Sequence, residues 1–249
     1  YSFLLVAIVI LFLPEIKPQQ VLITITGLEN NSAFVSSLQG EKIHRIDSLK
    51  KGNDNVFDLS SIMKNRNTGF YRLSFTNNRW IDFFYDSRNI EIKADINNIS
   101  ESIRVIQSES NGLYYSFVKL NKNYKTKSEL LQLLLARYPK DDEFYDIVRQ
   151  KLLSLQKEYL EFVNETSQKE PNTFIARYIK YSQLPIVDIN LSIDKQLEYL
   201  KSHALEKVDF NDVSLIYSDA FTNKAIEYLT YYRNPQLPIG LLEKEFMTA

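Results

Sequence analysis

The sequence predicts an α+β fold: an N-terminal antiparallel β-sandwich or open barrel followed by an all-α helical region. Three observations carry this prediction. Apolar and polar residues alternate with a period of two through the first half, and short Asn-, Gly- and Asp-rich segments separate the alternating runs. Beyond "SESNGLYYSFVKL" the apolar spacing lengthens to three and four residues, the helical period. The expected organisation is a leader over 1–20, a β domain over 21–110 and a helical domain over 111–249. With 249 residues, 44% of them hydrophobic and 13% aromatic, the chain has material for a substantial core.

The leader opens with an unbroken apolar run from Phe3 to Leu13. It is shorter than the roughly 20 residues a helix needs to cross the bilayer core. The extended segment "PEIKPQQ" follows it directly, as it follows the apolar region of an export signal. We therefore expect an exported protein of the periplasm or cell envelope, with a mature start near Gln19 to Val21. No small-x-small cleavage site is visible, so a retained anchor and a buried strand are the alternatives. Contact with the membrane is expected only through an uncleaved signal. Neither Met nor a basic region precedes the run, which leads us to expect further residues upstream of Tyr1.

Strands follow in order. In "NIEIKADI", Ile90, Ile92, Ala94 and Ile96 point one way while Glu91, Lys93 and Asp95 point the other, the mark of a sheet with one wet face. "VLITITG", "SAFVSSL", "GFYRLSF", "RWIDFFYD" and "SIRVIQS" read alike. "LENN", "LQGEK", "KKGNDN", "NRNTG" and "TNN" supply the residues that tolerate turn dihedrals. Parallel pairing needs helical crossovers, for which these connections leave no room, so the pairing is expected to be antiparallel.

The second half reads as helices at "SELLQLLLARY", "DDEFYDIVRQKLLSLQKEYLEFVNE", "PNTFIARYIKYS", "DKQLEYLKSHAL" and "FTNKAIEYLTYY". In the second of these, Phe144, Ile147, Val148, Lys151, Leu152, Leu155, Tyr159, Phe162 and Val163 form one stripe, which is expected to be buried. Asp141 and Asp142 are placed to cap its start. At the far end, Leu241, Leu242 and Phe246 share a helical face with no cap after it, so the helix is expected to continue past Ala249.

Composition excludes several chemistries. Lys and Arg total 30 against 31 Asp and Glu, and no basic stripe exists to neutralise phosphates, so nucleic acid is not an expected partner. The absence of Cys removes disulfides, thiolate metal sites and cysteine nucleophiles from this stretch. The two His, His44 and His203, fall in different halves, and no H-E-x-x-H, G-x-S-x-G, Walker or G-x-G-x-x-G pattern occurs. Asp82 and Asp86 share a strand face but stand about 13 Å apart on an extended strand, too far for a glycosidase pair. "GNDN" lacks the ordered carboxylates of a calcium loop and reads as a turn. No catalytic residue, metal site or cofactor is expected.

One strand is unusual. Ile81, Phe83 and Tyr85 make one apolar face, while Trp80 and Phe84 make the other largely apolar as well. Something must cover Trp80 and Phe84: the helical half, or an aromatic ligand or partner surface built from Trp80, Asp82 and Phe84.

The order of parts carries a resemblance. A signal segment precedes a β domain containing "GFYRLSF" and "WIDFFYD…NIEIKAD", and the junction "SESNGLYYSFVKL" leads to "PNTFIARYIKYSQLP" and "VDFNDVSLIYSDAFTNKAIEYLTYY". This resembles the N-terminal regions of exported thioredoxin-like thiol:disulfide oxidoreductases of Gram-negative bacteria. There, a domain of unknown function and a helical segment precede the redox domain. The resemblance implies a non-catalytic accessory region with a docking, dimerisation or substrate-selection role. It also implies that chemistry resides in a C-x-x-C motif downstream, so the full-length protein is expected to be the oxidoreductase. Its partner is then another protein or its own redox domain. The competing expectation is a freestanding envelope module that binds glycan or protein through the Trp80 face.

Overall fold

The structure is a computed structural model that describes residues 19–75, 78–233 and 237–248. The expected signal at Phe3 to Leu13 lies outside the described residues. Among the described residues, eight strands are followed by the principal helices, so the chain has the α+β arrangement, β first and helical after. The strands are β1 (Val21–Thr26), β2 (Ser32–Gln39), β3 (Lys42–Lys50), β4 (Val56–Asp58), β5 (Gly69–Phe75), β6 (Arg79–Tyr85), β7 (Ile90–Asp95) and β8 (Arg104–Gln107). Two single-turn helices, α1 (Ser60–Met63) and α2 (Ile99–Ser102), lie among them.

The strands form two four-stranded sheets, ordered β4-β1-β7-β8 and β3-β2-β5-β6. Their facing sides close on one core, in which Val21, Ile23, Ile25, Leu73, Phe83 and Ile92 are fully buried. Each such side chain is worth about 1.5–3 kcal/mol relative to exposure, so alternation in the sequence becomes the force that joins the layers. The second sheet is antiparallel throughout. The first is not: β1 pairs with β7 in parallel, Val21 opposite Ile90 through Thr26 opposite Asp95. This corrects the expectation of antiparallel pairing alone. No crossover helix is needed, because the chain between these two strands makes its crossover by building the opposite sheet.

The helical part follows, and some of its elements cover the outer face of the second sheet. It comprises α3 (Glu109–Arg137), α4 (Glu143–Lys169), α5 (Phe174–Tyr181), α6 (Ile193–His203), α7 (Ala220–Thr230) and α8 (Ile239–Thr248), with a 3-10 turn at Val213–Tyr217. The junction segment is itself the first part of α3, capped by the Ser108 hydroxyl accepting from the Asn111 amide at 3.1 Å. Asp142 caps α4 by accepting from the Phe144 amide at 2.8 Å, as its position predicts. Phe70 of β5 and Phe84 of β6 point outward into a second core with Phe117, Tyr159, Phe174 and Tyr178 from the helices. Phe70 lies 4.9 Å from Tyr178 and 4.8 Å from Tyr114, ring centre to ring centre. The α3–α4 hairpin is held by Tyr124 stacked on Tyr159 at 4.4 Å, with the Tyr159 hydroxyl donating to Asn121.

Candidate functional site

Strand alternation puts Trp80, Asp82 and Phe84 on the outer face of β6, and the helical layer reaches only part of that face. Phe84 is covered: its ring lies 4.9 Å from Phe174 and 5.3 Å from Phe70. Trp80 is not covered and remains 44% exposed. The expectation that the helices bury both is thus right for Phe84 and wrong for Trp80, because the layer ends beside Asp82. The Trp80 indole instead carries the Arg72 guanidinium, 4.5 Å from the ring centre.

Arg72 in turn grips Asp82 with two bonds, Nε to Oδ1 at 2.5 Å and Nη2 to Oδ2 at 2.8 Å. Burial pushes the Asp82 carboxyl above its ordinary range, against the lowering effect of these bonds. The bond to Asp82 is the main cause that raises Arg72. Behind the pair lies a cleft of about 110 Å³ whose polar lining includes Glu41, Tyr114 and Asp219. Burial, with the negative charges of Asp82 and Asp219, pushes the Tyr114 hydroxyl far up. The result is a ledge of ring and guanidinium beside a polar cleft.

A second feature lies at the α3–α4 hairpin. Leu131 and Leu134 of α3 face Phe144, Ile147 and Val148 of α4 across an apolar groove of about 730 Å³, and an adjoining hollow of about 230 Å³ lies between Leu130 and Leu155. Leu130 and Ile147 are more than half exposed. The predicted stripe on α4 is therefore buried at Val148, Leu152, Leu155, Tyr159 and Val163 and open at Phe144, Ile147 and Lys151. The hairpin projects beyond the sheet that covers its other end. A signal for this was present: "SELLQLLLARY" carries more leucines than one helical face can bury.

Several other reactive side chains are already engaged. Among the described residues, no three or more His, Asp or Glu side chains come together in a group that could hold a metal ion. His44 is exposed on β3, and His203 stacks on Tyr199 at 4.1 Å at the end of α6. Asp86 accepts from the Ser110 hydroxyl at 2.6 Å and does not join Asp82, which is held by Arg72. The buried Lys224 donates to the Gln183 carbonyl and to Glu227 at 2.9 Å, so its charge is compensated. No described helix is long and apolar enough to cross a membrane. No family model matches the chain, and neither a curated protein nor a solved structure matches it.

Proposed function

We propose that this chain is the non-catalytic accessory region of an exported, cell-envelope thioredoxin-like thiol:disulfide oxidoreductase, and that its role there is protein docking. The observation that carries the docking role is the open apolar groove between α3 and α4, lined by Leu130, Leu134, Phe144 and Ile147. Apolar surface of this kind, rimmed by charge, suits a protein partner better than a small polar substrate. The assignment to a redox protein is supported by the resemblance in the order of parts. It is compatible with a chain that contains no Cys, since disulfide reduction needs an attacking thiolate. The test is the reading frame together with an assay. A C-x-x-C domain encoded in the same frame, and a thiol-dependent insulin-reduction activity that the 249-residue region alone does not show, support the proposal. A protein with no such domain overturns it.

A second reading is favoured by one observation: Trp80 lies exposed and stacked with Arg72 on the sheet face. A freestanding envelope module could bind a glycan or protein there. Trp80 is the only Trp, so its fluorescence reports on that ledge alone. Titration with cell-wall oligosaccharides that leaves the emission unchanged removes the glycan version of this reading.

A further inference from the structure

The groove between α3 and α4 and the helix α8 are both uncovered, and their shapes and charges match. The groove runs beside α4 from Phe144 to Ser154. Glu143 and Asp146 make its outer end acidic, while in its inner part Lys151 and, across from it on α3, Lys127 outweigh the single Glu158. On α8, Ile239, Leu242 and Phe246 follow i, i+3, i+7 spacing and so form a single apolar stripe. That stripe is in solvent at Ile239, which is 77% exposed. Glu243 flanks the stripe one turn after Ile239.

Length and polarity fix how the two can meet. The ten residues of α8 cover about 15 Å, the same rise as α4 from Phe144 to Ser154. The positive end of the α8 dipole is favourable against Glu143 and Asp146. With Ile239 so placed level with Phe144, Glu243 falls level with Val148, about 4.5 Å along the axis from Lys151 and within reach of its long side chain, and Phe246 falls level with Lys151 beside the leucines of α3. The reverse direction sets the negative end of the dipole against the acidic pair.

We infer that α8 of a second copy of this chain occupies the groove, parallel to α4, and that the exchange is reciprocal in a two-fold dimer. Within one chain the groove is open at Leu130 and Ile147 and the stripe is open at Ile239 and half-buried at Leu242, so neither fills the other. Reciprocal exchange covers both grooves at once and closes the assembly, leaving no free end for further growth. This inference rests on the reading of the groove as a docking surface and names its occupant.

The test is the mass of the full-length protein by size exclusion with light scattering. A dimer is expected for the wild type. Ile147→Glu in the groove and Phe246→Glu on α8 should each weaken self-association by about 10- to 100-fold. Mixed in equal amounts, these two variants should recover a dimer mass, because one groove and one α8 remain intact between them. Lys151→Glu and Glu243→Lys should each weaken the dimer, and the double variant should restore it. Both of these positions are exposed, so the charge pair still decides the matter if a hydrophobic-to-acidic variant fails to fold. A monomeric wild type overturns the inference, as does a dimer indifferent to these substitutions or a charge swap without rescue. Failure here leaves the redox assignment standing, since that is decided by the C-x-x-C domain and not by mass.

Discussion

The Asn111 side chain acts as a strand partner for Phe84: its Oδ1 accepts from the Phe84 amide and its Nδ2 donates to the Phe84 carbonyl, both at 2.8 Å and both buried. β6 is the last strand of its sheet, and a bare edge would leave these groups unpaired under the helices. Tyr115 adds a bond from its hydroxyl to the Asp82 carbonyl two residues along. The first turns of α3 thus finish the sheet and anchor the helical layer in one step.

Replacement of Asn111 by Ala removes both bonds and strands two buried backbone groups. The expected loss is about 2–4 kcal/mol in urea unfolding, larger than its small gain in helix propensity. A loss under about 1 kcal/mol would mean that water reaches the β6 edge.

Trp80→Ala should cost little. The indole is only partly covered and its main contact is Arg72, so about 1 kcal/mol is expected, against the 3–5 kcal/mol typical of a fully buried aromatic. Thermal unfolding of the variant checks this, and a large drop in melting temperature would show that something covers the ledge in solution.

Gly69 begins β5 with φ +157°, and a Cβ there would stand 2.7 Å from the Tyr217 Cβ. Gly69→Ala must push the Val213–Tyr217 turn away from the sheet, at about 1–3 kcal/mol. Faster amide exchange in that turn should accompany the loss. Protection unchanged from wild type would place the strain elsewhere.

Asp212 provides a pH test. Burial raises its pKa, but bonds from Ser214 and Arg177 outweigh this and hold it below the ordinary 3.8. A carboxyl lowered in the folded state stabilises above its unfolded value, and that stabilisation is lost as pH falls through the folded value. Unfolding free energy should therefore decline as pH drops below about 4. In Asp212→Asn this part of the decline should vanish. An identical acid limb in the variant would assign the decline to other carboxylates.

The strands quoted from the sequence form where period-two alternation places them, because a half-buried sheet prints its two faces directly into the order of residues. β3 and β4 are not among the quoted strands: β3 is exposed at most positions and so shows no alternation, while the three residues of β4 give too short a pattern and its identity comes from pairing with β1. The parallel β1–β7 pair was illegible for a different reason. Connection length argues against parallel neighbours only when the crossover is a helix, and here it is a second sheet. At the candidate site, the face of Trp80, Asp82 and Phe84 was legible, yet the point where the helices stop was not. Nor was Arg72 as the partner of both Trp80 and Asp82, since a cross-strand neighbour depends on register. Periodicity places the α4 stripe correctly and overstates its burial, because it shows which residues share a face and not how far the opposing surface extends.

The β1–β7 pairing also has a consequence for synthesis. A chain emerging from its N-terminal end releases β1 well before β7, its neighbour in the finished sheet, and until then only the short β4 can pair with it. The row Val21, Ile23 and Ile25 must wait, unburied, while the whole opposite sheet is made. Closure of the sandwich is thus a late event with long-range contacts, the kind that is slow and exposed to aggregation. If the chain crosses a membrane before folding, that delay keeps it threadable, and the strand that waits longest is the one that leaves the exit first.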